Sequence, residues 1–274
     1  SVHNKIRRID AGGIISTLAG SGRRGTGGDG GRALDAEVNQ PEGLALDTDG
    51  TLYFADTQNH RIRRVTPEGV IELVAGRDAG FSGDGGPALE ARFNLPKGIA
   101  LDAAGNLYVA DSLNRRLRKI SSGGVVTTVA GDGSVRGGDD GLPATQVSLY
   151  SIQAVAVDGQ GRPWFTDASF RLSRIEPDGT LRVTRFSTHQ VGAFAFDGDG
   201  SVWLVDPFEH NLLKMNLESG RTTLVAGTSQ PGTGKSGFAK SYSFFQPMGI
   251  AVLEDGSVAV CDRGNDRIVH IRDK

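Results

Sequence analysis

Residues 46–76 read LDTDGTLYFADTQNHRIRRVTPEGVIELVAG, and residues 101–131 read LDAAGNLYVADSLNRRLRKISSGGVVTTVAG. Both stretches alternate apolar and polar positions in short runs punctuated by glycine turns, a pattern of strands rather than of helices. The run that ends in aspartate recurs as TLYFAD, NLYVAD, RPWFTD, SVWLVD and SVAVCD, closing on Asp56, Asp111, Asp167, Asp206 and Asp262 at spacings of 55, 56, 39 and 56 residues. Each unit reads as four strands: a GLALD-type run, the LYFAD run, a basic RIRRV run and IELVAG. A repeat of this size with four strands predicts an all-β fold, a β-propeller with one antiparallel blade per repeat, because a lone blade cannot bury both faces and must stack on its neighbours.

Working outward, the ends of the chain bear on closure. HNKIRRI at 3–9 has third-strand character and IISTLAG at 14–20 fourth-strand character, while the last repeat stops after its third strand at DRIVHIRDK. The expectation is one propeller domain over residues 1–274 with five blades, the N-terminal fourth strand clasping the blade at 247–272. Six blades, the alternative, would need half a repeat upstream.

Composition agrees with a folded chain of short strands. Forty glycines among 274 residues, without a three-residue period, serve frequent turns, and 30 basic against 32 acidic residues leave a net charge of −2. A near-neutral chain is a poor fit to nucleic-acid binding, and no apolar run approaches the ~18 residues of a membrane span. The chain opens on SVHNKIRRID rather than on a basic segment followed by an apolar one, so no signal peptide is read there. The single cysteine, Cys261, is expected to pack in the core.

The stretches PEGLALDTDGTLYFADTQNHRIRRV and PKGIALDAAGNLYVADSLNRRLRKI resemble NHL repeats, and the connecting GTGGDGGRALDAEVNQP and GFSGDGGPALEARFNLP resemble the long-loop version of bacterial surface proteins and the teneurin NHL domain. The likeness covers the whole chain, weakly over 149–190. It implies a propeller, usually six-bladed, that acts as a binding platform for proteins or RNA, with a minority of lyases and hydrolases. It also implies an extracytoplasmic or cell-surface setting.

Local motifs give no enzyme. GTGGDG at 25–30 satisfies G-x-G-x-x-G but lies between strands with no helix to hold a pyrophosphate, and GTGKS at 232–236 lacks the first glycine of a phosphate loop. DTDG at 47–50 and DGDG at 197–200 lack the later ligands of a calcium loop and read as hairpin turns. The recurrent aspartates are expected to pin the loops that follow them. The basic third strands are expected to form ion pairs with neighbouring blades.

What differs between copies is free to form a surface. The residue before each first-strand glycine, or its equivalent, is Glu42, Lys97, Gln153, Gly192 and Met248, and the second-to-third-strand loops read TQNH, SLNR, ASFR, PFEH and RGND. These positions should share one face of the propeller, at the mouth of its channel. A protein or peptide site is therefore expected at Glu42, Lys97, Gln153, His189, Met248, His60, Arg115, Phe208 and His210, with no cofactor. The alternative is a lyase or hydrolase with a divalent cation in the channel, held by Glu42, Gln153, His189 and Asp206. Phe81, Tyr150, Phe244 and Phe245 in the connecting loops are either staples between blades or recognition residues.

Overall fold

The computed structural model describes residues 3–135, 140–169, 171–185, 191–234 and 239–272. The hairpin β1 (Ile6–Ile9) and β2 (Ile15–Ala19) precedes four blades. They are β3 (Pro41–Leu46), β4 (Leu52–Asp56), β5 (Arg61–Val65) and β6 (Ile71–Ala75); then β7 (Pro96–Leu101), β8 (Leu107–Asp111), β9 (Arg116–Ile120) and β10 (Val126–Ala130). Next come β11 (Ile152–Val157), β12 (Pro163–Asp167), β13 (Arg171–Ile175) and β14 (Leu181–Arg185), followed by β15 (Ala193–Phe196), β16 (Ser201–Asp206), β17 (Asn211–Asn216) and β18 (Thr222–Ala226). β19 (Pro247–Val252), β20 (Val258–Asp262) and β21 (Arg267–Ile271) complete the order. The four blades are antiparallel four-stranded sheets in chain order, β19–β21 is a three-stranded sheet, and β1–β2 is a sheet of two. The five repeats are the five counted from the aspartates, including the one at 149–190 where the resemblance is weakest.

The expected clasp of Ile15–Ala19 onto the last blade is not among the described ladders: β2 runs beside β1, from Ile6↔Ala19 to Ile9↔Ile15. The turn that joins the two is tight, Gly13 donating to the Asp10 carbonyl at 2.9 Å.

Contacts divide the chain into two compact units, residues 1–152 with 178–181, and residues 153–177 with 182–274. In the first, Ala55, Ile62, Phe93, Val109 and Val126 form a core between the β3–β6 and β7–β10 blades. The two blades approach at their inner strands, where a Cβ on Gly43 would run into the backbone of Lys97, Gly98 and Ile99. In the second unit Trp203, Val205, Phe244, Val258 and Val260 form a like core, and Trp164, Phe194, Val202 and Leu204 another. Second strands are largely buried, and all five residues of β8 are. Truncating a residue of the core between the first two blades, Phe93→Ala for example, costs about 3–5 kcal/mol.

DTDG and DGDG are turns, as expected: Gly50 and Gly200 take φ of 88° and 90°, and Asp47 and Asp197 donate their N–H to the Thr51 and Ser201 carbonyls at 2.9 and 3.4 Å. Phe244 is a buried staple, whereas Phe81, Tyr150 and Phe245 stay exposed. Cys261, expected in the core, is exposed. Strand alternation turns it away from buried Val260, and its cross-strand neighbour is Gly249, which has no side chain to cover it. Burial of part of the side chain, with Asp262 beside it, still pushes the thiol pKa up.

Candidate functional site

The aspartates that end the second strands are loop anchors, and in three repeats they reach further than expected. Asp56 accepts the Asn39 N–H at 2.7 Å, Asp111 that of Asn94 at 2.7 Å and Asp262 that of Phe245 at 2.7 Å, each tying the second strand to the segment that enters the first. The other carboxylate oxygen accepts from an asparagine three residues on, Asn59, Asn114 or Asn265, at 2.8 Å. Asp167 and Asp206 serve the following loop, as expected: they accept the Ser169 N–H at 3.0 Å and the Phe208 and Glu209 N–H groups at 3.0 and 2.9 Å.

In the first unit this network buries arginine. Arg63 lies between Asp56 at 3.3 Å and Asp29 at 2.8 Å, and Arg118 between Asp111 at 3.2 Å and Asp84 at 2.9 Å, with both guanidinium side chains wholly buried. The ion pairs expected of the basic strands thus run to the same blade's aspartate and to the glycine-rich connecting loop. GTGGDG is an arginine cap, its Gly27 carbonyl accepting from Arg63 at 3.2 Å. Burial is the largest influence on both strand aspartates and pushes their pKa values up, Asp111 to about 6, against the pull of the asparagine, backbone and arginine donors.

The predicted site residues fall into three groups. Glu42 and Lys97 stand on the adjacent inner strands β3 and β7 of the first unit, Glu42 exposed and Lys97 half-buried. His60, Arg115 and His210 each end a tight turn in the left-handed region, with φ of 57°, 54° and 57°. The two histidines are latches: His60 Nδ1 accepts the Leu95 N–H at 3.1 Å and His210 Nδ1 the Gln246 N–H at 3.1 Å, joining one blade to the entry of the next. Asn4 does the same for Gln40 at 3.1 Å, and Arg115, which cannot accept, donates instead to the Gly133 carbonyl at 3.5 Å. His189 lies outside the described residues.

Gln153, Phe208 and Met248 come together around a cavity of about 570 Å³ in the second unit. Strand register puts the start of β19 opposite Asp262 and the start of β15 opposite Val205, so the first-strand entries and the loops after the second strands meet at one end. Val191, Gly192, Pro207 and Ala168 add apolar wall, and Asp167, Gln246 and Arg263 add polar groups. The absence of a side chain at Gly192 keeps the wall open, since a Cβ there would sit 3.1 Å from Pro207. Phe208 is 66% exposed and Met248 41%.

The wall is held stiffly. Asp206 fixes the Phe208 amide, Asp167 is ion-paired with Arg171, and His210 fixes the backbone of Gln246 while stacking edge-on to Phe245 at 5.9 Å. The Gly264 N–H donates to the Phe245 carbonyl at 2.7 Å, clamping the turn that carries Arg263. Among the described residues Arg263 has no ion-pair or hydrogen-bond partner. Residue-by-residue reading missed Asp167, Gln246 and Arg263. The signal for Arg263 lay in the position after each aspartate, which is Thr57, Ser112, Ala168, Pro207 and then a cation.

Comparison with known proteins fits these blades. The teneurin NHL domain family matches residues 22–82 and 76–139. Human Teneurin-4 is 41% identical over 102 residues, 32% of this chain and 4% of the teneurin's length, so the chain spans a small part of that relative. A nidogen/laminin complex structure superposes with a TM-score of 0.68 at 16% identity, covering 98% of this chain and 86% of the other. A gluconolactonase from Xanthomonas campestris gives 0.59 at 16%, covering 85% and 75%. At such identity the two structures speak for the propeller fold alone. The repeats over residues 22–139 match those of the teneurin NHL domain family, and the blades give the chain the fold of an NHL-type β-propeller.

Proposed function

We propose that the chain is a non-enzymatic binding module that recognises a protein or peptide through the cavity of its second unit. The cavity carries this reading: its walls are mostly apolar and rigidly held, its volume is in the range of ligand pockets, and exposed Phe208 and Met248 line it as anchors do at binding hot spots. The carboxylates at its edge are engaged in holding loops, which suits a shaped receptor better than proton transfer. Teneurin and nidogen/laminin likeness supports a protein partner rather than a nucleic acid, and burial of Arg63 and Arg118 takes one guanidinium of each basic third strand out of reach of a phosphate.

Selection of a displayed peptide library on the immobilised chain tests this. Enriched peptides should lose about tenfold or more in affinity on Phe208→Ala and on Met248→Ala, while melting changes by less than about 0.5 kcal/mol for such exposed positions. Peptides indifferent to both changes, or no enrichment, would sink the reading.

The gluconolactonase likeness favours a second reading, a lyase or hydrolase using a divalent cation. Its residues Gln153 and Asp206 lie in the second unit and Glu42 in the first. Among the described residues no group of three or more His, Cys, Asp or Glu side chains is arranged to hold a metal ion. A melting shift with EDTA, together with metal in the purified protein, would favour this reading over the first.

A further inference from the structure

Resting on that reading, we propose that the cavity recognises an apolar side chain with a carboxylate beside it, an aromatic–acidic pair within a peptide segment, the side chain filling the apolar wall and the carboxylate meeting Arg263.

Charge at the edge of the cavity is unbalanced. Two charged side chains line the cavity, Asp167 and Arg263, and the first is already answered, as is the buried carboxylate of Asp262 next in sequence to the second. Asp167 faces Arg171 and the Ser169 amide, and Asp262 accepts from Phe245, Asn265 and Arg267. Arg263, exposed at the edge of the same cavity, has no such partner among the described residues. A guanidinium presents a planar fork that matches a carboxylate in two hydrogen bonds. Its turn is preorganised: Asn265 Nδ2 also donates to the Gly232 carbonyl at 2.7 Å, and Asp266 closes the turn at a φ of 51°. Little further ordering is needed on binding. The repeat supplies the contrast, because the equivalent positions are buried Thr57 and Ser112 in the first unit and uncharged Ala168 and Pro207 beside this cavity. Gln246 adds to the rim an amide able to bond a peptide backbone in either sense, so specificity falls to Arg263 and the apolar wall.

The test uses short glycine–serine peptides with blocked termini that carry a central Phe–Asp, Phe–Asn, Ser–Asp or Ser–Asn pair, titrated against the full chain by fluorescence anisotropy. Phe–Asp should bind about tenfold more tightly than Phe–Asn or Ser–Asp, with the preference over Phe–Asn shrinking as salt is added. In Arg263→Gln the Asp preference should vanish while the Phe preference stays; in Phe208→Ala the reverse should hold. Equal binding of Phe–Asp and Phe–Asn, or an Asp preference that survives Arg263→Gln, overturns the carboxylate assignment and leaves the cavity as a binding site. Binding of 3-phenylpropanoate with none by any peptide overturns the peptide in favour of a small acid. No binding by any probe overturns the inference outright, and the library selection then decides the broader reading separately.

Discussion

The blades of the first unit and those of the second solve the same problem with different chemistry. At the middle of the third strand β5 and β9 carry Arg63 and Arg118, each buried between two carboxylates, whereas β13, β17 and β21 carry Ser173, Leu213 and Val269. The first unit therefore ties its glycine-rich connections to its strands through charge. The second relies more on apolar packing around Trp164 and Trp203, although it keeps a buried pair of Arg171 with Asp167 and, at Asp262, the first unit's anchor to the preceding segment. The inner-strand entries follow suit: Gly43 is pressed against the next strand's backbone, while Gly192 meets chiefly the Pro207 ring at the edge of the cavity. In the first unit the arginines and carboxylates of the repeat answer one another; in the second, departure from the repeat leaves a cavity whose edge carries Arg263.

The sharpest way to break this comparison is to remove a buried guanidinium. Arg118→Met should cost about 3–5 kcal/mol, because Asp111 is left as an uncompensated buried carboxylate, whereas Ser173→Ala at the matching position should change stability by less than about 1 kcal/mol. Urea titration of each variant checks it, and similar losses at the two sites would erase the distinction. Next in size, Gly43→Ala should cost about 1–3 kcal/mol by forcing β3 from β7, while Gly192→Ala should cost less than about 1 kcal/mol and weaken ligand binding by narrowing the cavity.

The latches give the smallest effect and the finest test. His60→Ala should cost about 1 kcal/mol by leaving the Leu95 N–H without its acceptor, and His60→Asn should restore most of it, since Asn4 already does this work for Gln40. Burial, partly offset by Asp78, lowers the His60 pKa below its ordinary 6.5. A lowered value means that the folded state binds the proton less well than the unfolded chain. The stability it contributes is present above pH 6.5 and is lost as pH falls through the folded value. The native chain should therefore lose stability on acidification relative to His60→Asn. Parallel melting curves for the two between pH 7 and 5 would refute the latch as the cause.

Much of the fold was legible because repetition exposes structure. The five terminal aspartates, the alternating runs before them and the DTDG and DGDG turns each mark an element that local physics dictates. What escaped depends on backbone geometry that residue types do not announce. His60 and His210 looked like surface variation, yet their left-handed φ aims Nδ1 at a backbone amide, and only the comparison with Asn4, the same slot with another acceptor, reveals a shared task. The cavity was half-visible: Gln153, Phe208 and Met248 were expected at a common mouth, but Arg263 matters only because its neighbours' charges are already paired, a fact of three dimensions.

The glycine-rich connections at 22–31 and 77–86 would be taken from composition for floppy tethers. Yet the Gly30 and Gly85 amides donate to the Ile71 and Val126 carbonyls at 2.8 Å, and the Gly25 and Gly80 carbonyls accept from Asn59 and Asn114 at 2.6 Å. Deuterium should therefore enter these amides slowly, on the schedule of the blade edges they extend, and a protease should meet a surface that yields only when a blade opens. The most glycine-rich stretches of the chain would then be among its most time-resistant, a property of their bonding that no count of glycines conveys.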